Sequence, residues 1–252
     1  MGISRTTSDG IAEVVIDVPP VNALDVAGWF ALADELRASA RDPAVRAVVL
    51  AAEGRGFCAG VDIKEMQQTE GFDALLGANR GCFAAFAAVY ECEVPVIAAV
   101  HGFCLGGGVG LVGNADVIVA SRDATFGLPE VDRGALGAAT HLARLVPQHR
   151  VRHMVYTSEV ATADELHAYG SVLKVVDREK LRDTAREIAV AIAAKSPAVI
   201  RAAKQSINGI DPIDVKRSYR YEQGFTFELN LSGVSDEARD AFVEKRDMDT
   251  SE

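Results

Sequence analysis

The chain has 252 residues, 49% apolar and 25% charged, with a formal net charge of −10. That length holds one large domain, or one domain with an appendage, around a substantial core. The acidic balance argues against non-specific nucleic-acid binding, no apolar run reaches the roughly 20 residues of a membrane span, and the opening MGISRTTSDG lacks the apolar stretch of a secretory signal, so a cytoplasmic protein is expected.

In chain order, residues 11–18 (IAEVVIDV) alternate like a strand and stop at Pro19–Pro20. Residues 25–41 have helical spacing, with Trp29, Phe30, Leu32, Ala33 and Leu36 on one side. Residues 45–52 read as a buried strand that ends in the loop EGRGFCAG. Residues 72–92 read as a helix with the stripe Leu75, Leu76, Phe83, Phe86 and Val89. Residues 94–100 form another buried strand, which enters a segment, 102–113, holding six glycines. Later strands are expected at 116–121 and 171–177. Unbroken apolar strands separated by helices imply a parallel sheet covered on both faces. After Lys195 the character changes: 197–210, 212–231 and 236–246 read as helices, which places a boundary near Ser196.

Both glycine-rich loops follow buried strands, and ligands of open α/β folds sit at the carboxyl ends of strands. Residues 54–60 and 102–108 are therefore expected to flank one site. Glycine lets backbone N–H groups approach a ligand, and two such groups on one oxygen make an oxyanion hole; the alternative is a pair of tight turns. A dinucleotide fingerprint in GRGFCAG is disfavoured, because no second strand with an acidic end follows at the required distance. Cys58, Cys82, Cys92 and Cys104 show no metal or CxxC spacing and read as packed free thiols.

Four segments taken together, RGFCAGVDIKEM (55–66), VPVIAAVHGFCLGGGVGL (94–111), ATFGLPEV (124–131) and DAFVEKR (240–246), resemble the signature segments of the crotonase superfamily, the enoyl-CoA hydratase/isomerase family. The likeness covers nearly the whole chain. It implies an α/β fold, with a ββα spiral core over residues 1–195 carrying the CoA and acyl site and a C-terminal helical region, 196–252, for assembly as a trimer or dimer of trimers. It implies an acyl-CoA substrate whose thioester carbonyl is held as an enolate; coenzyme A enters as part of that substrate, and neither a separate cofactor nor a metal is expected. Carried over residue by residue, it puts the oxyanion donors at the backbone N–H groups of Ala59 and Gly107. It puts the CoA-binding segment at Asp62, Ile63 and Lys64, with a basic residue of the tail, Lys245 from a neighbouring subunit, as a further contact.

Hydratases of this family carry two glutamates. Here the first position is Gly110 and the second, in the pair Pro129–Glu130, is kept. Glu130 is the candidate acid–base group, since one carboxylate can still activate a water or move a proton. The missing carboxylate at Gly110 is read as room for a bulky acyl group. Asp132, Arg133 and His141 follow Glu130 and are candidates for substrate contact, as are Tyr219 and Glu222 on a tail helix. His101 reads as structural. Stretches such as DATFGLPEVDRGALGAATHLARLVPQH further resemble a subgroup of ring-opening hydrolases acting on bicyclic steroid-derived CoA esters. An enoyl-CoA isomerase, an atypical hydratase and a non-catalytic acyl-CoA-binding trimer stay open as alternatives.

Overall fold

The computed structural model describes residues 2–244 and 246. The main sheet has six strands: β1 (Gly2–Ser8), β2 (Ile11–Asp17), β4 (Ala47–Ala52), β6 (Val96–Val100), β8 (Val117–Ser121) and β11 (Lys174–Val176), side by side in that order. β2 onward runs parallel, while β1 pairs antiparallel with β2 through residues 8–11. β1 lies outside the expected strands, because its sequence, GISRTTS, has no apolar alternation. Its side chains are half exposed, and it gains strand geometry from pairing rather than from burial. β4 and β6 are buried at every position, which explains their unbroken apolar runs.

Helices α1 (Val26–Arg41) and α3 (Asp73–Tyr90) cover one face of the sheet. Asp25 caps α1 by accepting from the Gly28 N–H at 2.7 Å, and Trp29, Leu32, Ala33 and Leu36 are buried. Phe30 and Leu76, assigned to the buried stripes from spacing, are exposed. The other face is covered by α8 (Leu181–Ala193), whose Leu181, Ala185 and Ala189 pack on Ile11, Val49, Ile97 and Val119.

Two small sheets stand apart. β3 (Ala23–Leu24) pairs with β5 (Gly60–Val61), and β7 (Phe103–Leu105) pairs with β9 (Thr125–Gly127), which pairs with β10 (Ala161–Thr162). Short helices α2 (Ile63–Gln68), α4 (Gly107–Val112), α5 (Ala139–Leu142), α6 (Gln148–Thr157) and α7 (Ala163–Ala168) join these pieces.

The tail is helical: α9 (Pro197–Gly209), α10 (Val215–Leu231) and α11 (Val234–Glu244). Among the described residues it forms no separate buried apolar cluster. Lys204 of α9 is buried and reaches Asp116 Oδ2 at 2.7 Å and the Val94 carbonyl at 3.2 Å. Tyr219 of α10 joins the main core. Among the described residues no helix is long and apolar enough to cross a membrane.

Candidate active site

The two glycine loops are stitched to one another. Phe57 N–H donates to the Phe103 carbonyl at 2.9 Å, and Leu105 N–H donates to the Cys58 carbonyl at 2.8 Å. Cys58 and Cys104 face each other in a parallel bridge. Burial pushes the Cys58 thiol up to about 12 and raises Cys104 as well, so both stay protonated packing groups. Asn22 holds the first loop: its amide donates to the carbonyls of Glu53 at 2.8 Å and Gly56 at 2.9 Å, and its Oδ1 accepts from Val18 N–H at 2.7 Å. Motif reading missed Asn22. The signal available was an Asn just after Pro19–Pro20, a residue that tolerates the left-handed φ of +53° found there.

Beside the loops lies a cavity of about 330 Å³ with a mainly apolar lining. Ala59, Asp62, Ile63, Lys64, Gly107, Glu130, Arg133 and Tyr219 all contribute to its wall. Sequence reasoning had placed them in four separate segments. Gly107 opens α4, so its N–H has no acceptor within that helix. Gly60 matters for this donor: its φ is +95°, and a Cβ there would stand 3.2 Å from the Gly107 nitrogen. The Ala59 N–H is not free. It makes a long 3.3 Å bond to the Asn22 carbonyl, with which a ligand oxygen must compete.

Glu130 enters the cavity from the turn before the 3₁₀ segment Val131–Arg133. Its Oε1 occupies the space that a side chain on Gly106 would need, at a residue whose φ of +54° already favours glycine. Its Oε2 is buried without a hydrogen-bond partner. Burial raises its pKa to about 8, opposed only in part by its backbone hydrogen bond and the Arg133 charge. A carboxyl with an unpartnered oxygen and a pKa near neutral can take up and return a proton at working pH.

Four other candidates stand away from the cavity wall. Gly110 does not open space for a ligand: the Phe86 ring already fills the volume a Cβ would need, and Phe86 itself lines the cavity. Glu222 is turned to a structural task, accepting from the N–H groups of Ala139 at 2.9 Å and Thr140, which fastens α10 to the start of α5. Asp132 is exposed on the 3₁₀ turn. His141 is buried, with its ring 5.0 Å from Phe86 and 5.1 Å from Tyr219 and both nitrogens unpartnered. Burial lowers its pKa to about 3, so it is a neutral packed ring behind the wall. Asp62 caps α2 by accepting from Lys64 N–H at 2.9 Å, at the cavity edge. His101 supports the first loop, its Nε2 lying 3.2 Å from the Gly54 carbonyl. Lys245 lies outside the described residues.

Comparison with known proteins agrees with this geometry. The enoyl-CoA hydratase/isomerase family profile matches residues 6–252. The chain is 68% identical over 245 residues to a Rhodococcus jostii protein named (7aS)-7a-methyl-1,5-dioxo-2,3,5,6,7,7a-hexahydro-1H-indene-carboxyl-CoA hydrolase, covering 97% of this chain and 95% of that protein. A Mycobacterium tuberculosis protein of the same name is 64% identical, covering 97% and 100%. Among solved structures, a carnitinyl-CoA hydratase from Mycobacterium avium superposes with a TM-score of 0.87 at 30% identity, covering 99% of this chain and 98% of that one. With its crotonase fold, its paired glycine loops and a match over nearly its whole length, the chain belongs to the enoyl-CoA hydratase/isomerase family.

Proposed function

We propose that the protein opens a carbon–carbon bond in the ring of a bicyclic, steroid-derived CoA ester by hydrolysis. The observation that carries this reading is a single buried carboxyl with an unpartnered oxygen, Glu130, since Asp62 at the cavity edge is engaged as the cap of α2. Glu130 stands beside the Gly107 donor, and the second carboxylate position is Gly110, closed by Phe86. Alkene hydration in this family shares its proton work between two glutamates, and only one of those positions, that of Glu130, holds a carboxylate here. The names of the two relatives above support the same substrate class.

In the proposed reaction, Glu130 takes a proton from water as the hydroxyl oxygen adds to a ring ketone carbon. The ring C–C bond then breaks. Its electron pair passes into the conjugated thioester, whose oxygen is held by the N–H groups of Ala59 and Gly107. Glu130 returns its proton to carbon, and the former ketone carbon, now a carboxylic acid tethered to the opened chain, releases its remaining proton to solvent and becomes a carboxylate. The CoA moiety is assigned to the Asp62–Ile63–Lys64 edge with Lys245, the assembly to a trimer or dimer of trimers, and the location to the cytoplasm.

The test offers the enzyme the bicyclic ester, crotonyl-CoA and a 3-enoyl-CoA. The expected result is uptake of one water by the bicyclic ester with a new derivatisable carboxyl group, and little change in the others. Efficient hydration of crotonyl-CoA, or double-bond migration in the 3-enoyl ester, with the bicyclic ester untouched, overturns the proposal.

A further inference from the structure

We infer that Arg133 is an anion-receiving group of the acyl cavity, and that its ligand is the carboxylate created when the ring opens. This rests on the ring-opening reading above. The acyl part of a ring ketone ester is neutral. Addition of water and cleavage of the C–C bond turn the ketone carbon into a carboxylic acid, which loses its proton. One negative charge therefore appears inside a mainly apolar cavity, where it needs a cation.

Three cationic side chains line that cavity. Lys64 is exposed at the edge. Arg239 is committed, donating to Asn230 Oδ1 at 2.9 Å and pairing with Asp236. Arg133 is half-buried and forms no ion pair with a carboxylate among the described residues, its charge reaching the Glu130 carboxyl only at longer range. Its guanidinium is held in place by other means. One nitrogen donates to the Pro129 carbonyl at 2.6 Å, and the Phe242 ring covers one face at 4.2 Å. A guanidinium fixed by one N–H and one face keeps further N–H groups in the same plane for an oxygen pair.

Arg133 also sits three residues after Glu130, and its backbone N–H donates to the Glu130 backbone carbonyl at 2.9 Å. The group that activates the water and the group that receives the resulting carboxylate thus share one turn. The tetrahedral alkoxide that precedes cleavage arises at the same carbon and draws on the same cation.

The test is a binding series at pH 7 with ω-carboxyacyl-CoA esters, from glutaryl-CoA to suberyl-CoA, each against the neutral acyl-CoA of matching length. Wild type is expected to bind its best ω-carboxy ester about tenfold or more tighter than the neutral partner, the scale of a charge-assisted hydrogen bond. Arg133→Gln should erase that gap while neutral esters still bind, and Arg133→Lys should keep part of it. If Arg133→Gln loses neutral esters too, Arg133→Lys decides, a retained gap supporting the inference and a lost gap overturning it. The absence of any gap in wild type, or a gap that survives Arg133→Gln, also overturns it. These measurements need no turnover. A wild type that leaves the bicyclic ester untouched therefore rejects the proposed function separately, whatever Arg133 binds.

Discussion

Glu130 and His141 are both buried ionisable groups, and they respond to pH with opposite signs. The folded-state pKa of Glu130 is raised to about 8, so the folded protein binds that proton more tightly than the unfolded chain does. Its contribution to stability is complete below about pH 4.5 and is lost as pH rises through 8. Glu130→Gln removes this loss, and denaturant titration should find the variant more stable than wild type at pH 9 but not at pH 4. The same substitution should lower kcat by about 10²–10⁴-fold with little change in ester affinity, because Gln keeps the volume and cannot accept the proton. His141 has its pKa lowered to about 3 by burial, so its contribution is complete above about pH 6.5 and falls as pH drops toward 3. His141→Phe keeps ring contacts with Phe86 and Tyr219 and removes the cost of charging. It should flatten the acid limb of the stability curve and leave turnover near wild type. A large loss of turnover without a loss of stability would restore His141 as a chemical group.

At the scale of elements, the contact between α3 and α4 replaces a carboxylate with an aromatic ring. Phe86 lies edge-on to Trp29 at 5.7 Å and fills the hollow above Gly110. Gly110→Ala therefore overpacks a closed contact and should cost about 1–3 kcal/mol. Phe86→Ala empties the hollow and should cost about 3–5 kcal/mol. The double variant should cost clearly less than the sum, because each change makes room for the other. Urea unfolding of the four proteins measures this coupling, and strict additivity would mean that the two positions do not share the space. The contact also bears on engineering: a glutamate at position 110 cannot enter while Phe86 stands, so converting this cavity to a two-carboxylate site requires changing both residues.

For the whole molecule, α10 decides how the chain presents itself. Its buried face is largely polar, with Gln223, Thr226 and Asn230 turned inward beside Tyr219, while Tyr221 is 72% exposed, Phe225 41% and Leu231 73%. Contiguous exposed apolar surface is a common feature of subunit contacts, and this face is the one to test for it. Light scattering is expected to find an oligomer in wild type, and Phe225→Glu with Leu231→Glu to shift it toward smaller species with helicity unchanged. A monomeric wild type at micromolar concentration would remove this reading.

The strands 47–52, 96–100 and 117–121 were legible from sequence because a strand buried on both faces must be apolar throughout. α1 was legible from its helical period, the tail helices from the change to helical character after Lys195, and the loops and Glu130 from motifs that keep their spacing. β1 and the small sheets were not legible. The two- and three-residue strands of the small sheets are too short to show a period, and the seven residues of β1 are mostly polar, so in each the strand geometry comes from the partner. The sequence showed a carboxylate missing at Gly110, but only the packed structure showed that Phe86 takes its place, since side chains 24 residues apart meet through helix packing. The same holds for Glu222 and His141. Sequence placed them near the acyl pocket, and tertiary structure made one a fastening for α5 and the other a neutral core ring. What a polar side chain does depends on its partners and its distance from water, and both are set by how distant segments pack.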